Sequence, residues 1–213
     1  VRDCGALLFD MDGLMVDSEP AWFTLQSEFV EARGGVWTDD VARRCVGGGL
    51  VNALRVMGEA FGFAIDIERD SAAMIEKFVA RVDRLALKRG CLELIDAACA
   101  QNLACAVASS SSRRLVEATL SRFSLRERFG AMVSGDCVAR PKPAPDIFLE
   151  AAARLGVSPN ACVVLEDSLA GVRAGRAAGM RVIAVPETAD ESFVRLADAV
   201  VTDLHAARSL LGL

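Results

Sequence analysis

The sequence predicts an α/β protein: a Rossmann-like open parallel sheet core carrying an inserted all-helical cap subdomain. Three observations predict it. Short apolar runs recur with polar or acidic residues directly after them. From residue 91 onward these runs alternate with helical patterns of about ten to twelve residues, the rhythm of a doubly wound parallel sheet. The first run stands apart, about 95 residues ahead of the next, so something is inserted between them.

Residues 5–9 (GALLF) are apolar without alternation and stop at Asp10, which reads as a strand buried on both faces. Similar runs lie at 103–108, 131–134, 161–165, 181–185 and 199–201. Between them Ser112 is placed to cap a helix whose apolar face is Leu115, Val116, Leu120 and Phe123. Pro145 opens another helix, which Gly156 stops, and Ser168 precedes a third closed by Gly179. Residues 18–88 have helical periodicity (Trp22, Leu25, Phe29; Leu54, Met57, Phe61; Met74, Phe78) and few strand signals. They are therefore expected to form a small all-helical subdomain, joined to the core by linkers near 16–19 and 87–90. The triple glycine 47–49 is expected as a turn between two of its helices.

Composition narrows the class of function. Of 213 residues, 53% are hydrophobic and 35 are alanine, which excludes a disordered chain. No uninterrupted apolar stretch approaches the length of a membrane span. The net charge of −5, with acids and arginines interspersed, offers no basic stripe, so neither a nucleic-acid nor a membrane partner is expected. Seven cysteines contain no C-x-x-C pair and sit mostly in apolar runs, as reduced buried thiols do in a cytoplasmic protein. There is one histidine, His205, and the lysines are only Lys77, Lys88 and Lys142, so chemistry needing several histidines is excluded.

In an open parallel sheet, ligands bind beyond the carboxyl ends of the strands, where strand order reverses. Four polar groups fall at such exits. They are Asp10 and Asp12 after the first strand, Ser109 and Ser110 after the second, Lys142 in the loop after the third, and Glu166 and Asp167 after the fourth. Two carboxylates about 4 Å apart repel by roughly 4 kcal/mol at an effective dielectric near 20. Gathering Asp10, Asp12, Glu166 and Asp167 therefore demands cations, and with oxygen donors alone a hard divalent ion, Mg²⁺ ahead of Ca²⁺, is expected beside Lys142. Helix N-termini or Arg113 would add positive character for a phosphate group.

The segments 9–18 (FDMDGLMVDS), 107–110 (VASS), 142–148 (KPAPDIF) and 165–172 (LEDSLAGV) resemble the four motifs of the haloacid dehalogenase (HAD) superfamily. They look most like its beta-phosphoglucomutase-like branch with a helical cap; the resemblance covers nearly the whole chain and implies a Rossmann-like core at 1–16 plus 89–213 and a mobile cap at 17–88. It implies that Asp10 is a nucleophile forming an aspartyl phosphate and binding Mg²⁺. Asp12 would be the general acid and base, with its backbone carbonyl on the metal. Ser109 and Lys142 would hold the phosphoryl oxygens, Asp167 would ligate Mg²⁺ with Glu166 beside it, and the cap would close to exclude water. Catalysis is thus expected from Asp10, Asp12, Ser109 and Lys142. Phosphate binding is expected from Ser109, Ser110, Arg113 and Lys142, and metal binding from Asp10, Asp12, Glu166 and Asp167.

The expected reaction is Mg²⁺-dependent hydrolysis of a small phosphomonoester, a sugar phosphate, by a cytoplasmic monomer. Dehalogenases and phosphonatases depart from an acid at the position of Asp12, and Lys77 and Lys88 fit solvated helix faces. A sugar-phosphate mutase of the beta-phosphoglucomutase type is the alternative. Residues 19–22 lack that enzyme's histidine, and residues 47–50 lack its arginine. Arg43, Arg44 and Arg81 are the cap candidates for gripping substrate. A receiver-type phosphoacceptor domain is a remote alternative, since it has no helical insertion.

Overall fold

The computed structural model describes residues 4–45 and 49–213. In chain order these form β1 (Ala6–Phe9), β2 (Val16–Asp17), α1 (Glu19–Glu31), α2 (Asp39–Cys45), α3 (Gly49–Phe61), α4 (Ile67–Val79), β3 (Ala86–Leu87) and α5 (Cys91–Ala100). There follow β4 (Ala104–Ser109), α6 (Arg113–Arg122), β5 (Ala131–Ser134), α7 (Asp146–Leu155), β6 (Cys162–Glu166), α8 (Leu169–Ala177), β7 (Arg181–Ala184), α9 (Glu191–Leu196), β8 (Ala199–Val200) and α10 (Leu204–Leu211). The backbone divides into two compact units, one of Val1–Asp17 with Ala86–Leu213 and one of Ser18–Leu85.

The first unit is a six-stranded sheet in the order β5-β4-β1-β6-β7-β8, with every neighbouring pair parallel. The α/β class and parallel sheet expected from the apolar runs are what the chain forms. β1 lies in the middle, paired to β4 on one side and β6 on the other, so strand order reverses at its carboxyl end. Its alternate residues explain the unbroken apolar run. Leu7 and Phe9 pack into a core with α5, α6 and α10, while Ala6 and Leu8 pack into a second core with α7, α8 and α9. Alanines crowd the second face (Ala106, Ala108, Ala131, Ala151, Ala152, Ala174, Ala184), so part of the alanine excess is a packing device that lets helices lie close to the sheet.

The two linkers pair with each other. Val16–Asp17 and Ala86–Leu87 pair as an antiparallel ribbon, and the Lys88 amide donates to the Met15 carbonyl at 2.9 Å. Of the 47–49 glycine turn only Gly49 lies within the described residues, at the start of α3 with φ +71°. In the helical unit, Trp22 stacks on Phe78 at 4.4 Å, and the buried Asp70 receives Arg33 and Arg69. All seven cysteines are free, and burial pushes Cys91 and Cys105 up to about 12, which makes them unreactive. No helix among the described residues is long and apolar enough to cross a membrane.

Candidate active site

The strand exits gather one cluster of side chains at the carboxyl edge of the core sheet. β1 ends at Phe9, so Asp10 stands directly beyond it, 7% exposed. The chain then folds back. The Gly13 amide donates to the Val16 carbonyl at 2.9 Å, and the Met15 and Val16 amides donate to the Met11 carbonyl. Gly13 has φ +82°, and a Cβ there would stand 2.1 Å from Asp167 Oδ2. Only glycine lets the carboxylate delivered by β6 lie against the turn that carries Asp10 and Asp12.

Lys142 is the centre of the cluster. Its Nζ donates to Asp10 Oδ1 at 2.5 Å, to Glu166 Oε1 at 2.7 Å and to the Ala108 carbonyl at 3.0 Å, and lies 4.8 Å from the Phe148 ring centroid. Glu166 is fully buried, and its Oε2 accepts from the Ser168 amide and hydroxyl at 2.8 and 2.9 Å. The Ser168 hydroxyl in turn accepts from the Gly171 amide, capping α8 as its sequence position suggests. A Cβ on Gly171 would fall 1.6 Å from Glu166 Oε1. β4 delivers Ser109, whose Oγ accepts from the Ser111 amide and donates to Asp12 Oδ2 at 3.4 Å. Ser111 Oγ donates to the same oxygen at 2.7 Å.

The charges respond as crowded acids must. Burial pushes Asp10 up to about 7, opposed by Lys142 and reinforced by Glu166 and Asp12. Asp167 is also raised well above the ordinary carboxylate value, first by burial and then by Glu166 and Asp10. Burial alone would lower the Lys142 ammonium, but Asp10 and Glu166 outweigh it and raise it above its ordinary value.

The family model for haloacid dehalogenase-like hydrolases matches residues 7–185. The chain belongs to that family. Hexitol phosphatase B of Escherichia coli K12 is 32% identical to it over 99% of this chain and 98% of its own. CbbY of Rhodobacter sphaeroides, solved with phosphate, superposes with a TM-score of 0.83 at 31% identity, covering 95% of both chains. A Thermotoga maritima structure assigned as a beta-phosphoglucomutase gives a TM-score of 0.81 at 29% identity over 97% of this chain and 98% of its own. The protein is thus a HAD-like phosphatase of the beta-phosphoglucomutase-like branch.

As a HAD hydrolase it is expected to hold Mg²⁺, and its donor set fits a hard ion. Every carboxylate and hydroxyl donor at the cluster is oxygen, and Asp10 and Asp167 are raised first by burial and then by the neighbouring acids, which a bound cation would offset. Among the described residues, no three His, Cys, Asp or Glu side chains converge as a finished cage. Mg²⁺ keeps several waters and takes one or two carboxylates plus substrate oxygens. Asp10, with one oxygen on Lys142, and Asp167, against the Gly13 turn, are the carboxylates that would serve. Glu166, expected as a ligand, has Lys142 on one oxygen and Ser168 on the other.

Two expectations about phosphate binding are altered. Arg113 does not join the cluster, because its guanidinium is exposed and pairs with Glu117 one turn along α6 at 2.7 Å. Its amide donates to Asp136, which caps α6 in place of Ser112, whose buried hydroxyl has no partner among the described residues. Ser110 lies exposed in the same loop, with its carbonyl against Gly135. Within the helical unit Arg43 and Arg44 reach Asp40 and Glu59 at 3.7 and 3.8 Å, and Arg81 reaches Glu28 at 2.9 Å. Sequence reasoning missed Ser111 and Gly171. The serine run 109–112 was the signal for the first, and a glycine in the first turn of a helix was the signal for the second.

Proposed function

We propose that the protein hydrolyses a small phosphomonoester, a sugar phosphate, in a Mg²⁺-dependent reaction through an aspartyl phosphate on Asp10. The observation that carries this reading is Lys142 lodged between Asp10 and Glu166, a buried ammonium beside a buried carboxylate at the exit of the central strand. That pairing holds a nucleophile and a phosphoryl-binding cation at one point. The sugar-phosphate assignment is supported by hexitol phosphatase B and by the phosphorylated carbohydrates phosphatase of Thermotoga maritima, each over more than four fifths of the chain.

In the first step an Asp10 carboxylate oxygen forms a bond to phosphorus while the bond from phosphorus to the substrate oxygen breaks. Asp12 gives its proton to that departing oxygen. In the second step Asp12 takes a proton from water, the water oxygen bonds to phosphorus, and the Asp10–phosphate bond breaks. Ser109 and Lys142 hold the phosphoryl oxygens throughout. Asp10, Asp167 and the Asp12 backbone carbonyl would hold Mg²⁺, which would supply charge stabilisation for the transferring group.

The test is release of inorganic phosphate from p-nitrophenyl phosphate and from a panel of phosphorylated sugars and hexitols. Activity is expected with Mg²⁺, none with EDTA, and a loss of at least about a thousandfold in Asp10→Asn, the scale on which a nucleophile's removal is felt. Full activity in either case overturns the reading. The panel includes beta-glucose 1-phosphate with a glucose 6-phosphate readout, because a beta-phosphoglucomutase assignment is among the similar structures. Efficient isomerisation with little free phosphate would replace hydrolysis by the mutase reaction.

A further inference from the structure

Asp12 is held by two serine hydroxyls, and one of them has no assigned task. Its Oδ2 receives Ser111 Oγ at 2.7 Å and Ser109 Oγ at 3.4 Å. Ser109 is committed to the phosphoryl group once substrate is bound, so its long contact to Asp12 is then surrendered. Ser111 is fixed independently of substrate. Its amide donates to Ser109 Oγ at 3.1 Å, and its carbonyl accepts from the Gly135 amide at 2.9 Å. Gly135 makes this second tie possible, since a Cβ there would stand 2.3 Å from the Ser110 carbonyl. With its backbone tied at both ends to β4 and β5, Ser111 has a side chain directed at Asp12 by the sheet itself.

We infer that Ser111 is a positioning residue that holds the Asp12 carboxyl in place for proton transfer to the departing oxygen. Ser111 does not touch the phosphorus; it acts through Asp12 alone. A hydroxyl is suited to this task because it donates when Asp12 is ionised and, by rotating, accepts when Asp12 carries the proton. Fixing a general acid within hydrogen-bond reach of the atom it protonates is what gives it its rate advantage.

The inference rests on the phosphatase reading and makes a demand that reading does not. The ratio kcat/KM covers all steps through phosphoryl transfer to Asp10. An alkyl leaving group needs a proton in that interval and p-nitrophenolate does not. Ser111→Ala is therefore expected to lower kcat/KM for an alkyl phosphate by about tenfold, a fraction of the hundredfold or more that a positioned acid contributes. The loss on p-nitrophenyl phosphate is expected to stay within about threefold, so the ratio of the two substrates changes. Ser111→Thr restores the ratio, while Ser111→Cys, isosteric but a weak donor, shifts it in the same direction as alanine. Ser112→Ala, beside it in the same loop, leaves both values unchanged. Equal losses on both substrates, or no loss on either, overturn the positioning role. A wild-type protein that releases no phosphate with Mg²⁺ overturns the phosphatase reading instead.

Discussion

At the residue scale the cluster is an imbalance of charge held in place by one lysine. Lys142 has only 5% of its side chain exposed and serves Asp10 and the fully buried Glu166 together. Removing one partner of such a pair leaves buried charge uncompensated, at a cost of about 3–5 kcal/mol. Lys142→Met is expected to lose about 3 kcal/mol of stability at pH 8, measured by urea unfolding, and clearly less at pH 5.5, where the carboxyls take up protons. An equal loss at both values would show that the lysine stabilises by packing on Phe148 and not by charge. Lys142→Arg is expected to release no phosphate in the same assay, since a planar guanidinium does not reproduce an ammonium that donates to Asp10, Glu166 and the Ala108 carbonyl at once.

At the scale of elements, two helix starts serve the site in ways their own sequences do not announce. α8 begins with Leu169, Ala170 and Gly171, and helix propensity would favour alanine over glycine by about 1 kcal/mol. The structure reverses that preference, because a Gly171 Cβ would occupy the place of Glu166 Oε1. Gly171→Ala is expected to lower both the melting temperature and phosphatase activity by displacing Glu166 and with it Lys142; a variant of higher stability and full activity would contradict this. α6 is capped from outside, by Asp136 of the β5 exit turn on the Arg113 amide. Asp136→Ala should cost about 1 kcal/mol by denaturant unfolding, the usual value of an N-cap, and Ser112→Ala nothing measurable. The reverse ranking would restore Ser112 as the cap.

At the scale of the whole molecule, proton and metal binding are linked to folding. Asp10 has a native value of about 7 against an ordinary 3.8, so the folded state holds its proton more tightly than the unfolded chain. Its contribution to stability is complete below about 4 and is lost as pH rises through about 7; Asp167 acts in the same direction. Lys142 stays charged throughout this range and adds no slope. In EDTA the melting temperature is therefore expected to fall between pH 5.5 and 8, and to fall less in Asp10→Asn. Each 1 kcal/mol corresponds to about 2–4 °C for a chain of this length. At pH 8, Mg²⁺ at 100 times its Kd should restore about 2.7 kcal/mol, because it binds the ionised carboxylates of the folded state alone. A melting temperature independent of both pH and Mg²⁺ would remove the two acids from the metal-binding role.

The sequence by itself determined the parallel sheet, the residues at its strand exits and the family. Each of these is written in short-range pattern: unbroken apolar runs where both faces of β1 are buried, acids where a strand ends, glycines where the chain reverses. Tertiary structure alone decided which of those polar residues meet. Lys142 and Asp10 are separated by 132 positions, and Ser111 and Asp12 by 99. Their contacts depend on where β4, β5 and β6 stop relative to β1. Arg113 stands apart from the cluster because helical spacing offers it Glu117 one turn away. Glu166 was read as a ligand because its type suits a metal, and only the approach of Lys142 and Ser168 shows that both its oxygens are already engaged. Periodicity is local and survives in the sequence, whereas the pairing of charges is a property of the assembled sheet.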